Sequence, residues 1–534
     1  MNQRQHDYSC HLTLYLVVAL APRRTIVKAA NRLRGKGDNR KMLAAAILNA
    51  RSVTPRILVA AVIYLITASG QILLADRLNA SPEANTSQRP NVLVIFVDDF
   101  GPGDLSCYGG KQIQTPAIDR LASEGTRFCQ FYVASPICSP SRCGLLTGQF
   151  PSRWRIASYL QSKAGNRECE QADFLDPAAP SIVRAFHDAG YATAHVGKWH
   201  LGGGRDVTDA PKFAAYGYDV GFGTYESPEP AAALGLKSVP WDTKIEPQQV
   251  PRHDRTRWMV DEALSFVQQH PDQPWFINLW FDDTHTPFRP SDDQKTDDAG
   301  GPGTIEYRAV LKETDHQVGR LLDRLKDSKV DQNTIVILAG DNGPQPSFDG
   351  ARTNGLRGMK WSLYEGGIQT PFIVRWPGHV PAGVTNKTTV LTALDIFPTL
   401  CELTGIAPPV DVEFDGEDLS AAFKGPAEIK ASATLTAPEP KRSRMVFWEY
   451  GRKPSSEGQK GLRAFPYPDE PNSKSPNVAV RDGDWKLLVN ADGSSVELYD
   501  LNIDPKESKN VVEVHPDVAN RLKDAALQWR QSLP

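Results

Sequence analysis

Cysteine is scarce in this chain. The 534 residues contain seven (Cys10, Cys107, Cys129, Cys138, Cys143, Cys169 and Cys401), none in a Cys-x-x-Cys pair, which excludes a disulfide-built scaffold and a paired-cysteine zinc site. No internal repeat is present. An excess of positive charge is also missing: 60 Lys and Arg stand against 63 Asp and Glu, a net charge of −3. What positive charge there is gathers at the start, so that without residues 1–75 the net charge is about −12. A broad polyanion-binding surface is therefore not expected, and neither is nucleic-acid binding. Charge is absent altogether from Ile57 to Ala75, between Arg56 and Asp76. With the basic stretch before it (Arg23, Arg24, Lys28, Arg32, Arg34, Lys36, Arg40, Lys41) this run reads as the n- and h-regions of an export signal. It is long for a signal and holds Tyr64, Thr67, Ser69 and Gln71, so an uncleaved membrane anchor is the alternative. A start at Met42 would give a shorter n-region. Export is expected either way, with stable membrane association only if 57–75 is retained.

The remaining composition, 40% hydrophobic and 23% charged, is that of a globular protein long enough for more than one domain. Residues 76–90 read as a linker, 91–423 as a catalytic domain, 424–441 as a second linker and 442–534 as a smaller C-terminal domain. In the large domain Asn91–Val97, Ala192–Val196, Trp275–Asp282 and Thr334–Ala339 are continuous apolar runs, the pattern of strands buried on both faces. Beyond 442 come short strands, Met445–Tyr450, Val478–Arg481, Trp485–Val489 and Val496–Leu501, with turns at Asp482-Gly483 and Asp492-Gly493, then an amphipathic helix near 516–532.

The chemistry concentrates where these runs end. Asp98-Asp99 follows the first and Asp341-Asn342 the last, delivering three carboxylates and an amide to the strand ends where open sheets bind ligands. Oxygen donors of this kind suit Ca²⁺ or Mg²⁺ better than Zn²⁺. Lys198 and His200 follow another run and would face one way if the strand continued, a possible anion clamp and proton carrier. Asp282, Asp283 and His285 cluster at the end of the third, with a second metal as an alternative use. The densest stretch is Cys138-Ser139-Pro140-Ser141-Arg142. Ser139 can cap a helix with Pro140 in its first turn, leaving Cys138 just before the helix N-terminus and Arg142 on the same side. Such a place favours an oxyanion beside a nucleophile. The plain alternative makes Cys138 and Cys143 structural thiols or a disulfide.

Cys138-Ser139-Pro140-Ser141-Arg142, continued by Leu145-Leu146-Thr147-Gly148, resembles the signature of the type I, formylglycine-dependent sulfatases, in their arylsulfatase-like and N-acetylgalactosamine-6-sulfatase-like forms. Gly197-Lys198-Trp199-His200-Leu201-Gly202 and Leu356 to Pro371 are similar to further blocks of that family, and the order holds from Asn91 to Asn510. The resemblance implies an α/β, alkaline phosphatase-like fold: a large mixed, mostly parallel sheet flanked by helices, with a C-terminal α+β domain carrying an antiparallel sheet. It implies that a maturation enzyme oxidises Cys138 to formylglycine, and that Asp98, Asp99, Asp341, Asn342 and the modified Cys138 hold one divalent cation, usually calcium. It implies catalytic work for Arg142, Lys198, His200, His285 and Lys360, with Lys198, His285 and Lys360 on the sulfate and Ser227 as a substrate contact. The reaction so implied is hydrolysis of a sulfate ester, on a small molecule or a glycan. A formylglycine-dependent phosphoester or phosphonate ester hydrolase is the rival, and a silent binder of sulfated ligands the other. Cys143 and Gln149 depart from the residues common at their positions. The loops Gly203–Ser227 and Gly451–Asn477 would choose the substrate. Asn85 and Asn386 begin glycosylation sequons.

Overall fold

The computed structural model describes residues 89–230, 250–295, 301–425, the backbone of 434–435, 442–451 and 465–534. Contacts divide the chain into Met1–Ala84 and Asn85–Pro534, and every described residue belongs to the second unit. The leader, Asn85 and most of the 424–441 and 452–464 stretches lie outside the described residues. Among the described residues no helix is long and apolar enough to cross a membrane.

Ten strands form the main sheet. In chain order they are β1 (Asn91–Val97), β2 (Thr126–Tyr132), β3 (Ala192–Gly197), β4 (Val220–Gly223), β5 (Trp275–Phe281), β6 (Thr334–Gly340), β7 (Gln369–Arg375), β8 (Val384–Asn386), β9 (Leu391–Thr392) and β10 (Thr434–Leu435). Their spatial order is β10-β8-β2-β7-β6-β1-β5-β3-β4, with β9 beside β2. All pairings are parallel except β6–β7 and β7–β2, so one strand runs against its two neighbours in a mixed, mostly parallel sheet. β10 falls within the stretch read as a linker and adds a short edge pairing to β8.

The continuous apolar runs are explained by burial on both faces. From β1, Val92, Val94 and Phe96 enter one core with the helices Cys138–Thr147, Ile182–Asp188 and Ile396–Thr404. Leu93, Ile95 and Val97 enter the other with Pro116–Ser123, Arg255–Gln269 and Ile305–Asp327. A strand covered on both sides has no face left for the polar half of an alternating pattern. β2 carries no clean strand signal in the sequence, because Arg127, Cys129 and Gln130 break the apolar run.

A second sheet of four antiparallel strands, β11 (Val446–Glu449), β12 (Val478–Asp482), β13 (Trp485–Val489) and β14 (Glu497–Asp500), follows in simple order. The β12–β13 turn uses Gly483 at φ 60°, the left-handed conformation that tight hairpins require. Val478, Val480, Leu487 and Leu498 pack against Ala519, Leu522 and Ala526 of the terminal helix Pro516–Gln531. The sequon residue Asn386 is buried in β8, where its amide nitrogen donates to Thr389 Oγ1 at 2.9 Å, so it is not presented for glycosylation.

Candidate active site

Strands β6, β1, β5 and β3 end level with one another: Val97 stands beside Gly340 on one side and Phe281 on the other, and Trp280 beside Gly197. Backbone bonds carry the alignment one residue further. The N–H of Asp98 donates to Phe281 O at 3.0 Å, that of Asp341 to Val97 O at 2.9 Å and that of Lys198 to Trp280 O at 2.9 Å. Three stretches singled out in the sequence therefore meet at the carboxyl end of the sheet.

Asp98 and Asp99 form the centre. Asp98 Oδ2 lies 2.5 Å from Lys198 Nζ, while its Oδ1 accepts from the Cys138 thiol at 3.5 Å and lies 3.8 Å from Arg142 Nη2. Asp99 turns left-handed, φ 52°, and its Oδ1 accepts from Lys360 Nζ at 2.6 Å and Asn342 Nδ2 at 2.7 Å. Its N–H donates to Asp341 Oδ1 at 3.0 Å. Arg142 donates to Asp341 Oδ2 at 2.6 Å and to Lys198 O at 3.0 Å, between the rings of Phe96 and Trp280. Three carboxylates thus face three cations, all buried.

The helix that carries Cys138 begins at Cys138 itself, with Ile137 as N-cap, rather than after Ser139. Ser139 Oγ is occupied as the acceptor of the Leu160 N–H at 2.9 Å, so it does not cap, and Pro140 is tolerated because first-turn N–H groups need no intrahelical partner. Cys138 and Arg142, one turn apart, both reach Asp98. Burial, and after it Asp98, push the Cys138 thiol up to about 12, so it is neutral at ordinary pH. Cys143 is a separate buried thiol and no disulfide joins the two.

Strand geometry does not persist through Lys198 and His200. β3 stops at Gly197, and His200 takes φ 54°. Its Nε2 sits 3.2 Å from Leu160 O, which can only accept, so Nε2 carries the proton and Nδ1, buried without a partner, presents a lone pair. Burial, then Lys198 and Arg142, hold its pKa well below the usual range. His285 Nδ1 lies 2.6 Å from Thr286 O and so donates there, leaving Nε2 3.8 Å from Asp99 Oδ2. Burial and Lys360 lower His285 to about 4. His195, by contrast, is a core residue among Trp199, Phe213, Tyr218 and Trp280.

Electrostatics separate the carboxylates. Burial alone would raise Asp98, but Lys198, His285, Arg142 and Lys360 together hold it well below the carboxylate range. Burial and then Asp98 raise Asp341 to about 7 against the pull of Arg142. Asp99 Oδ2 and Asn342 Oδ1 are buried without hydrogen-bond partners, and one donor atom from each of Asp98, Asp99, Cys138 and His285 falls within 4.8 Å of the others. Unpartnered buried oxygens on a carboxylate-rich cluster fit a hard divalent cation.

Ser227 is not brought into this group. Its Oγ accepts from the Glu229 N–H at 3.2 Å, whereas Tyr225 of the same loop lies under Lys198 Nζ, 4.7 Å from its ring centre. Tyr225 is the contact missed in the sequence, where a tyrosine between Thr224 and Glu226 carries no signal. Asp282 and Asp283 do not form a second metal group: Asp282 accepts from Thr224 Oγ1 at 2.7 Å and Arg255 Nη1 at 3.1 Å, and Asp283 from Thr256. Gln149 faces structure, donating to Glu413 O at 2.8 Å and accepting from Trp154 at 3.0 Å.

The model of the Sulfatase family matches residues 90–406. The chain is 28% identical to an N-acetylgalactosamine-6-O-sulfatase of Bacteroides thetaiotaomicron across 82% of its own length and 92% of the relative's. It is 29% identical to Arylsulfatase A of Homo sapiens, over 82% and 87% respectively. Among solved structures, a Bacteroides thetaiotaomicron protein from a locus for metabolism of multiple glycosaminoglycans superposes with a TM-score of 0.64 at 25% identity, covering 82% of this chain and 98% of that one. The level strand ends, the buried charge cluster and these matches lead to one conclusion: the chain belongs to the sulfatase family and is a sulfuric ester hydrolase.

Proposed function

We propose that this enzyme removes sulfate from a sulfated carbohydrate outside the cytoplasm, with formylglycine made from Cys138 and one Ca²⁺ or Mg²⁺ held by Asp98, Asp99, Asp341 and Asn342. The single observation that carries this is the buried meeting of Cys138 with those four residues and with Arg142, Lys198 and Lys360 at the carboxyl end of the sheet. Similarity to an N-acetylgalactosamine-6-O-sulfatase over most of both chains supports a sulfated sugar as substrate. The uncharged run 57–75 behind a basic stretch supports export, which brings such glycans within reach. Residues 91–423 are the catalytic domain in this reading and 442–534 its support.

Formylglycine supplies, as its hydrate, an oxygen nucleophile with a second hydroxyl through which sulfate is later shed, and the cation supplies positive charge against the same oxygens. The chain's own groups do the remainder. Arg142, Lys198 and Lys360 hold the charge that builds on the sulfuryl oxygens, in a site where fixed cations act without water between. His285 presents Nε2, and the negative charge of the sulfate ester brought by substrate favours its protonated form, which hands a proton to the departing ester oxygen together with Lys360. His200 presents the unprotonated Nδ1 and takes a proton when sulfate leaves. Asp341 orients and accepts from the nucleophile beside Arg142.

The test is peptide mass spectrometry across Cys138 on protein from its own host, combined with sulfate release from an aryl sulfate and a panel of sulfated sugars. Formylglycine with sulfate release is expected. Formylglycine with phosphoester or phosphonate turnover exceeding sulfate turnover on one aryl leaving group would move the enzyme to the rival class.

A further inference from the structure

Asp99 holds the left-handed conformation, φ 52°, which a residue with a β-carbon adopts at a cost. Something nearby must over-determine it. We propose that Arg352 and Asp104 are a positioning pair that holds the Asp99 backbone so that its carboxylate faces the cation site. This rests on the reading of Asp98, Asp99, Asp341 and Asn342 as cation ligands.

Neither residue reaches the cluster with its side chain except through Asp99. Both are completely buried. Arg352 Nε donates to Asp104 Oδ1 at 2.9 Å and Oδ2 at 3.2 Å, and Nη2 to Oδ2 at 3.1 Å. The same Nη2 donates to the carbonyl oxygen of Asp99, and Nη1 to Pro346 O at 3.3 Å. Asp104 Oδ2 also accepts the Gly101 N–H at 2.9 Å. One guanidinium and one carboxylate therefore grip both ends of the turn Asp99-Phe100-Gly101, while the Phe100 N–H between them donates to Asn342 O at 3.2 Å. The ring of Tyr307 covers the guanidinium at 4.1 Å. The backbones are in contact as well: a β-carbon at Gly101 or Gly103 would run into the carbonyl oxygens of Arg352 and Ala351.

Burying an arginine–carboxylate pair is seldom worth more stability than apolar side chains of the same size. Its distinctive output here is directional. With the carbonyl and the following N–H fixed, the Asp99 Cα–Cβ bond has one direction; Oδ1 then meets Lys360 and Asn342, and Oδ2, 3.8 Å from His285 Nε2, is left without a hydrogen-bond partner. A lysine at 352 keeps the charge but has no fork, so it cannot bind Asp104 and the Asp99 carbonyl together. Residues that orient ligands in this way typically change ion affinity about 10–100-fold when altered.

The experiment uses the full chain stripped with EDTA and titrated with Ca²⁺ by calorimetry, with the thermal midpoint read with and without the ion. Arg352→Lys and Asp104→Asn are each expected to weaken Ca²⁺ binding about 10–100-fold. The double variant should be no weaker than the worse single one, since both act through one turn. Leu522→Ala, which loosens the distant C-terminal core, should lower the midpoint and leave Ca²⁺ affinity within about twofold. Affinity unchanged in the folded variants, whatever their midpoints, overturns the proposal. If Arg352→Lys does not fold, Asp104→Asn, which keeps the shape and the Gly101 acceptor, decides alone. A wild-type chain that binds neither Ca²⁺ nor Mg²⁺ would instead remove the cation reading itself, and this role with it.

Discussion

Lys486→Met tests how the C-terminal sheet supports the catalytic domain. Lys486 in β13 is fully buried, 2.8 Å from Glu365 Oε1 and 2.8 Å from Glu507 Oε1. At that distance and an effective dielectric near 20, each pair contributes about 6 kcal/mol of gross attraction. Removing the ammonium leaves two buried carboxylates with only Tyr132 and Gln369 on Glu365, and the Glu365 N–H on Glu507. Protonation limits the loss, because burial already raises Glu507 to about 7 from its ordinary 4.5 even with Lys486 pulling it down. A carboxylate raised in the folded state contributes stability that is complete below the ordinary value and disappears as pH rises through about 7. Without Lys486 that window extends upward. The variant should therefore lose about 3–5 kcal/mol at pH 8, the cost of breaking a buried pair, and clearly less at pH 5. Calorimetric midpoints of both proteins at pH 5, 6.5 and 8 measure it. A deficit that is the same at all three, or below about 1 kcal/mol at pH 8, would refute the reasoning.

Further outcomes follow from the site. Cys138→Ala should abolish sulfate release, by at least about 10⁴-fold in kcat, while the thermal midpoint moves little; retained turnover in a steady-state assay would exclude Cys138 as the source of the nucleophile. Lys360→Met removes the ammonium from Asp99 and should lower kcat on the order of 10²–10³-fold with a smaller change in KM, read from saturation curves on one aryl sulfate. EDTA should lower both activity and the thermal midpoint, and Ca²⁺ at a hundredfold excess over its Kd should restore about 2.7 kcal/mol of stability. Arg357→Ala should raise KM, because Arg357 ties the loop before Lys360 to Asn472 O at 2.8 Å and Tyr499 Oη at 2.9 Å, and wild-type KM in that variant would deny the C-terminal sheet a part in shaping the site.

Much of this protein is determined by local sequence. A short β-branched or aromatic run with no polar alternation fits a strand covered on both faces, and β1, β5, β6 and β3 are so covered. Polar residues placed directly after such runs must surface at a strand end, which put Asp98, Asp99, Asp341, Asn342, Lys198 and His285 among the candidates, as Cys138 and Arg142 one helical turn apart were. What the residues could not say is which ends lie side by side, because register is set by partners 180 to 250 positions away. Only that pairing gave Asp98 to Lys198 and Arg142 to Asp341, handed Asp282 and Asp283 to arginine and threonine rather than to a metal, and turned Ser227 toward Glu229 while Tyr225 took the place under Lys198. It also brought Arg352 against the Asp99 carbonyl, a contact across 253 positions with no local mark. The apolar pattern that favours burial is a property of one residue and its neighbours in the chain; which charges share a buried pocket is a property of the packed whole, where an unpaired charge is too costly to leave and each finds the partner that the sheet order brings within reach.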